Sequence, residues 1–560
     1  MSAETSAGTD DETSDEASAG TDAGTDDGKG AGDGAGTSAA AHANGTVRGS
    51  ATMDDTRAAG RAIGRDRTVA VVGTGTMGQG IAQVALAAGH PVRLYDSAPG
   101  RAAEAVAAIG ARLDRLVEKG RMAAADREAA AGRLHAAADL AELADAALVV
   151  EAIVEDLAVK QRLFADLEKA VGDDALLATN TSSLSVTAIA GGLRLPGRFV
   201  GLHFFNPAPL LPLVEVVRGF ATDETAATRA YETMKTWGKT PVRCADTPGF
   251  IVNRIARPFY AEAFRVYEEG GADPATIDAV LRECGGFRMG PFELTDLIGQ
   301  DVNEAVTRSV WDSFFQDPKF TPSLAQRRLV ESGRLGRKTG HGWFSYAEGV
   351  ERPAAHQAPP AQAPAEITVE GDLGPARELI ALAREAGITV HETAEDNGTR
   401  ILLPSGGQLV LADGQTSVEF RDVVYFDLSL DYRAATRVAL SASEVTAWET
   451  LRAAIGLFQA LGKRVSVIGD VPGMIVARTV AMLIDLAADA VAKGVATAED
   501  IDTAMRLGVN YPVGPFEWKR RLGASWAHEV LDELHARVPT GRYAPSLALY
   551  RRTYTEMGGE

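Results

Sequence analysis

A nine-residue run recurs within this chain, and the recurrence limits what the chain can fold into. Asp246-Thr247-Pro248-Gly249-Phe250-Ile251-Val252-Asn253-Arg254 returns as Asp470-Val471-Pro472-Gly473-Met474-Ile475-Val476-Ala477-Arg478, an offset of 224. Thr276-Ile277-Asp278 returns as Asp500-Ile501-Asp502, and Gly290-Pro291-Phe292-Glu293 as Gly514-Pro515-Phe516-Glu517, at the same offset. Pro322-Ser323-Leu324 returns as Pro545-Ser546-Leu547 one residue out of register. Motifs that hold one register over this distance predict a duplicated structural unit.

With 560 residues and 46% hydrophobic content, the chain can build three or four units. Residues 1–66 are rich in Gly, Ala, Ser, Thr and Asp and carry almost no large apolar side chains, so a disordered acidic tail is expected. Much of the net charge of -20 lies there, with ten acids against Lys29 in residues 1–40. The rest is mildly acidic, which argues against a nucleic-acid partner. Two cysteines, Cys244 and Cys284, make no disulfide framework and have no metal-ligand spacing. The sequence shows neither a spanning apolar run nor a signal pattern, so a cytoplasmic protein without membrane contact is expected.

From Thr68 the pattern changes to alternating strands and helices. Thr68–Val72, Pro91–Asp96, Ala147–Val150 and Leu176–Thr179 read as strands, and the alternation predicts a doubly wound parallel sheet over 67–245. Helical patterning fills 246–348. A Pro/Ala/Gln-rich linker covers 349–366, a degenerate α/β segment 367–469, and the second helical copy 470–560.

Gly73-Thr74-Gly75-Thr76-Met77-Gly78 is a G-x-G-x-x-G between a strand and a helix. Its glycines permit a tight turn and close approach of a pyrophosphate to a helix N-terminus. Asp96 ends the next strand, where it suits ribose hydroxyls and repels a 2′-phosphate, so NAD is favoured over NADP. His203, in Gly201-Leu202-His203-Phe204-Phe205-Asn206-Pro207, is followed twelve residues later by Glu215. Such a pair makes a general base, the carboxylate fixing the imidazole tautomer. Thr179-Asn180-Thr181-Ser182-Ser183 follows a strand; taken alone, it reads as a polar helix cap. Asn253 becomes Ala477 in the second copy while the flanking Asp, Pro, Gly and Arg persist, so the helix start itself does not need Asn.

From Val71 to about Tyr346 the sequence resembles the NAD-dependent (S)-3-hydroxyacyl-CoA dehydrogenases. The resemblance is carried by Gly73–Gly78, Val150–Glu155, Asn180–Ser183, His203–Pro207, Leu213–Val216, Asp246–Arg254, Met289–Glu293 and Gly336–Gly342. The second half, above all Ala498–Pro515, resembles the long bacterial members that act on 3-hydroxyadipyl-CoA in phenylacetate breakdown.

The resemblance implies a Rossmann-type domain, an all-α C-terminal domain, and an acyl-CoA thioester substrate. It implies His203 as the base, Glu215 as its partner, and Ser182 and Asn253 at the substrate oxygens. Asn206 would line the nicotinamide, Glu155, Lys160 and Lys338 would contact the cofactor, and Lys119 would meet CoA, with Arg112 and Arg115 nearby. In the family the helical domain is a dimerisation surface, so a homo-oligomer, or a pseudo-dimer made by the repeat, is expected. The second copy lacks a G-x-G-x-x-G and the Asn, so one active site per chain is expected. The alternatives are a dehydrogenase of free 3-hydroxy acids and a non-catalytic NAD-binding scaffold.

Overall fold

The first sheet is built from apolar strands buried on both faces, as strands covered by helices on either side must be. In the computed structural model, which describes residues 61–394 and 398–557, it has eight strands. These are β1 (Thr68–Val72), β2 (Val92–Tyr95), β3 (Leu134–Ala136), β4 (Ala146–Glu151), β5 (Leu176–Thr179), β6 (Phe199–Phe204), β7 (Leu213–Arg218) and β8 (Thr240–Ala245), in the order β3-β2-β1-β4-β5-β6-β7-β8. The acidic tail expected from sequence falls, but for its last residues, outside the described part.

Strands β1 to β6 are parallel, as expected. The last two are not: β7 runs antiparallel to β6, and β8 follows β7. The physical reason is loop length. Only residues 205–212 connect β6 to β7, and a parallel return needs a crossover of a dozen residues or more. A hairpin is the remaining solution. Its register sets His203 directly opposite Glu215.

Helix α1 (Thr76–Ala87) follows β1, and α2 (Arg101–Glu118) follows β2. Beyond β8 the chain turns helical, with α3 (Val252–Ile255), α4 (Arg257–Glu268) and α5 (Gln300–Ser313) bordering the site. A second sheet follows, from β9 (Glu366–Glu370), β10 (Thr389–Thr393), β11 (Arg400–Leu402), β12 (Gln408–Leu411), β13 (Val423–Phe426), β14 (Arg437–Ser441) and β15 (Arg464–Ile468), in the order β10-β9-β11-β12-β13-β14-β15. Helices α6 (Val476–Ala492) and α7 (Ala498–Val509) open the second helical region.

The duplication reaches further back than its sequence motifs. Leu202 faces Val216 across β6 and β7, and Phe426 faces Leu440 across β13 and β14, again 224 residues on. Val214 beside Pro241 likewise returns as Val438 beside Val465. The position of His203 is therefore held by Asp427, and that of Glu215 by Ala439. Gly249 and Phe250 both have positive φ, and so do Gly473 and Met474. A non-glycine residue in that region is unfavourable. Because the copy without His keeps it, this conformation serves the helix start and not the chemistry.

The two helical copies pack on each other within the chain, α6 lying against α4. Their contact buries charges in pairs. Glu262 on α4 is fully buried and accepts from Arg542 Nε at 2.9 Å and from Tyr543 Oη at 2.8 Å, with Arg478 Nε 3.2 Å away. Arg254 reaches Asp489 on α6 at 2.7 Å, and Lys319 pairs with Asp485. One continuous apolar core runs from a face of the first sheet through both helical regions into the second sheet. No described helix is long and apolar enough to cross a membrane.

Removing one member of a buried pair strands the other. Glu262→Ala leaves Arg542 without its carboxylate, and the expected cost is about 3–5 kcal/mol of unfolding free energy. Denaturant unfolding of the variant reads this directly; a loss below about 1 kcal/mol, the worth of a surface pair, would show that the cluster does not hold the copies together.

Candidate active site

The nucleotide half of the site begins where β1 stops. Gly73 has φ +97°, and a Cβ there would stand 2.5 Å from the Ala152 carbonyl oxygen. A Cβ on Gly78 would stand 1.9 Å from the Gly73 carbonyl oxygen. These two glycines are required by the turn itself. Gly75 differs: a Cβ on it would meet nothing within 4 Å. Protein packing does not demand glycine there, whereas a ligand approaching the main chain does. Gly75 is also the cap of α1 and brings no side-chain acceptor, so the first-turn N–H groups are left for an anion. Thr76 is exposed and Met77 half-buried on that turn.

Asp96 Oδ2 accepts from Thr74 Oγ1 at 2.6 Å and from Thr74 N at 3.0 Å, and Oδ1 accepts from Ala98 N. Burial alone would raise its pKa, but these hydrogen bonds and the charge of Arg101 outweigh it, so Asp96 is held below the usual carboxylate range. It stays ionised and rigid beside the turn. These features fit a dinucleotide with free ribose hydroxyls.

The loop after β5 is organised by a buried charge cluster. Lys160, on the helix Leu157–Ala170, is fully buried, with Nζ 2.6 Å from Glu151 Oε1 and 3.4 Å from Glu155 Oε2. The sequence resemblance implied a cofactor contact, but this ammonium is enclosed between two carboxylates. Glu155 is partly exposed and accepts from Thr181 Oγ1 at 2.6 Å, Ser182 N at 2.9 Å, Ser183 N at 3.2 Å and Ser183 Oγ at 3.1 Å. Burial pushes its pKa up, yet the Thr181 hydrogen bond, the Lys160 charge and the two serines bring it below the ordinary value.

Ser185, and not Asn180 or Ser182, caps the helix Val186–Ala190. Asn180 instead accepts from Phe204 N at 3.0 Å, tying the end of β5 to the end of β6. Ser182 and Asn180 are thus released from the capping role that the stretch alone suggested.

His203 Nδ1 lies 2.5 Å from Glu215 Oε2. Glu215 is fully buried, and its other oxygen accepts from Ile251 N at 3.0 Å and Val252 N at 2.9 Å. A carboxylate facing Nδ1 makes that nitrogen the proton-bearing one, which leaves the Nε2 lone pair available. Nε2 makes no hydrogen bond among the described residues. Phe205 and Phe250 flank the imidazole, with ring centroids 4.5 and 5.8 Å away. Asn253 Nδ2 donates to the Ser182 carbonyl at 3.4 Å, so the helical region and the β5 loop meet beside the histidine.

The structure therefore forms two hydrogen-bonded groups, His203 with Glu215 and Asn253 with Ser182 and Glu155, which meet where the Ile251–Val252 backbone bound by Glu215 leads into Asn253. Asn206 is exposed on the adjoining hairpin loop. Lys119 is exposed just past the end of α2, and Arg112 on α2 reaches Gln79 of α1. Lys338 sits apart from this group, its ammonium 2.6 and 2.7 Å from the Asp301 oxygens on α5.

Sequence reading missed Gly508 at the end of α7. A Cβ on it would stand 2.7 Å from Leu213 Cδ2, 3.0 Å from Val252 Cγ2 and 3.7 Å from Phe205 Cε1. The second helical copy thus forms a wall of the site. Nothing in the local sequence signals this, because the contact joins residues some 250–300 positions apart.

Comparison with known proteins agrees with this geometry. Residues 68–247 match the family described as 3-hydroxyacyl-CoA dehydrogenase, NAD binding domain. Residues 249–346 and 473–557 both match 3-hydroxyacyl-CoA dehydrogenase, C-terminal domain. Residues 409–472 match 3-hydroxybutyryl-CoA dehydrogenase reduced Rossmann-fold domain. The chain is 44% identical to a 3-hydroxyadipyl-CoA dehydrogenase of Escherichia coli K12, over 88% of this chain and 99% of that one. It is 41% identical to the mitochondrial hydroxyacyl-coenzyme A dehydrogenase of Sus scrofa, over 50% of this chain and 90% of that one. A crystal structure of a 3-hydroxybutyryl-CoA dehydrogenase from Escherichia coli K12 superposes with a TM-score of 0.80 at 43% identity, over 88% of this chain and all of that one. The chain belongs to the 3-hydroxyacyl-CoA dehydrogenase family.

Proposed function

We propose that the chain catalyses the reversible, NAD-dependent oxidation of a (3S)-3-hydroxyacyl-CoA to the 3-oxoacyl-CoA at a single site built around His203. The observation that carries this reading is the His203–Glu215 pair with Nε2 left unbonded beside Ser182 and Asn253. NAD, when bound, supplies the hydride acceptor. His203 Nε2 takes the proton of the 3-hydroxyl, and Glu215 holds the ring and stabilises the imidazolium that results. Ser182 and Asn253 hold the substrate oxygens.

Gly73, Gly75, Thr76, Met77, Gly78 and Asp96 hold the dinucleotide, and Asn206 borders its nicotinamide. Glu155 and Lys160 act on it by ordering the Thr181–Ser183 loop. Lys119 is the candidate for the CoA phosphates. Lys338 reaches the cofactor only by leaving Asp301.

Relatives named for 3-hydroxyadipyl-CoA and for 3-hydroxybutyryl-CoA both align over most of this chain. A dicarboxylic acyl group would place the reaction in phenylacetate breakdown. Both cysteines are free and buried, which suits a reducing cytoplasm.

The within-chain packing of α6 on α4 supports a pseudo-dimer, the second helical copy standing where a partner subunit would. A chain stopped after residue 365 exposes the apolar face of α4, and it is expected to self-associate. Sedimentation tests this, and a stable, active monomer would refute the pseudo-dimer.

His203→Ala is expected to lower turnover by about 10²–10⁴-fold. NAD affinity, read by calorimetry, should stay within a factor of about three. Unchanged turnover removes His203 from the mechanism.

Glu155 gives a pH test. Its pKa is lower folded than unfolded, so the stability it adds is present at neutral pH and is lost as pH falls through the folded value. Between neutrality and acid, the melting temperature of the wild type should fall more steeply than that of Glu155→Gln. Parallel pH profiles would show that Glu155 does not stabilise the loop through its charge.

A further inference from the structure

Six arginines are buried among the described residues, and five of them face a carboxylate of the chain at 2.5–3.7 Å. The sixth, Arg257, faces none. It is 5% exposed at the first position of α4. Its NH1 donates to Thr307 Oγ1 at 3.1 Å, its guanidinium lies over the Tyr260 ring at 5.1 Å, and its Nε has no partner. A buried charge without a counter-charge is costly. The fold does not require it, because the corresponding position in the second copy is Ala481, fully buried in an intact α6. A base kept here awaits an anion that the chain does not provide.

Its position says which anion. Arg257 lies four residues beyond Asn253; the backbone bonds Ile255 N to Ile251 O and Ala256 N to Val252 O carry the helical turn up to Ala256, whose right-handed helical backbone is the single residue between α3 and α4. Residues so spaced share a face, and helical side chains lean toward the N-terminus, here toward Asn253 and the catalytic group. From the other side comes the end of α7. Gly508 abuts Phe205 next to His203, and three residues later Tyr511 packs on Phe259 at 5.6 Å. The Tyr511 hydroxyl is buried and has no hydrogen-bond partner. The charge of Arg257 acts on both Tyr260 and Tyr511. Two buried groups with donors left over, Arg257 Nε and the Tyr511 hydroxyl, one from each helical copy, thus sit on the helices that flank the His203 group.

We propose that Arg257, with Tyr511, receives the distal carboxylate of a dicarboxylic acyl-CoA substrate. The inference rests on the dehydrogenase reading and narrows its substrate to chains with an anionic end, such as 3-hydroxyadipyl-CoA. A site built to bond a polar group rejects analogues that lack it far more strongly than a hydrophobic pocket rejects a missing methylene.

The test compares adipyl-CoA with hexanoyl-CoA, ligands of equal length with and without the terminal carboxylate. Calorimetry on the full chain saturated with NAD should show adipyl-CoA binding about 100-fold more tightly. Arg257→Met should abolish that preference while leaving reduction of acetoacetyl-CoA by NADH within about threefold, and Tyr511→Phe should weaken only adipyl-CoA, by about tenfold. Equal binding of the two ligands by the wild type overturns the proposal without recourse to any variant. Equal losses with both ligands in Arg257→Met overturn it as well, since they mark a structural arginine. If the wild type reduces acetoacetyl-CoA but shows no carboxylate preference, Arg257 is wrong and the dehydrogenase reading stands. If it reduces neither acetoacetyl-CoA nor 3-oxoadipyl-CoA, both fall.

Discussion

One buried carboxylate joins the chemistry of this protein to its architecture. Glu215 holds His203 with one oxygen and the main-chain N–H groups of Ile251 and Val252 with the other. The first contact fixes the imidazole tautomer. The second anchors the start of the helix pair α3 and α4, which carries Asn253 and Arg257. A displacement of the helical region therefore pulls on His203, and a displacement of His203 pulls on the helix start that leads to Asn253 and Arg257. The sheet reversal at β7 is what makes this possible, since only a hairpin return puts residue 215 opposite residue 203.

The duplicated half shows how that bridge is built without the histidine. Asp427 stands at the position of His203 and itself accepts from Ile475, Val476 and Ala477 N at 2.9–3.1 Å. The shorter acid stands one residue past the end of β13, at the position of the histidine, and Ala439 stands at the position of Glu215. Anchoring of the helix start is thus separable from the His–Glu pair. The second copy keeps the anchor, the strained turn and the helix, and discards the imidazole, the Asn and the nucleotide turn.

These relations were unequally legible in the sequence. The G-x-G-x-x-G and Asp96 were readable because the turn and its acid are local and their geometry follows from residue type. The repeat was readable from Asp246 onward, where polar and glycine positions are retained. It was hard to see upstream, where Phe199–Leu202 and Val423–Phe426 share burial but only the valine of Val200 and Val424, since a strand asks only for apolar residues at the right spacing. The strand reversal was not anticipated from the alternation of strands and helices, although the short 205–212 loop carried the signal. The family resemblance implied Lys160 at the cofactor. Its burial between Glu151 and Glu155 depends on how two strands and a helix meet, which a motif does not encode.

The second copy does more than cover an apolar face. A prop could have presented any apolar residues to α4, yet Gly508 brings α7 against Phe205 and Tyr511 brings an unpartnered hydroxyl to the unpaired Arg257. In a pairing of identical subunits, every change at such a wall would appear twice and would have to suit both sites. Fusion into one chain removes that constraint. The copy without a nucleotide turn is free to change its wall against the His203 group without a matching change elsewhere, and the asymmetry between Arg257 and Ala481 is what such freedom would leave behind.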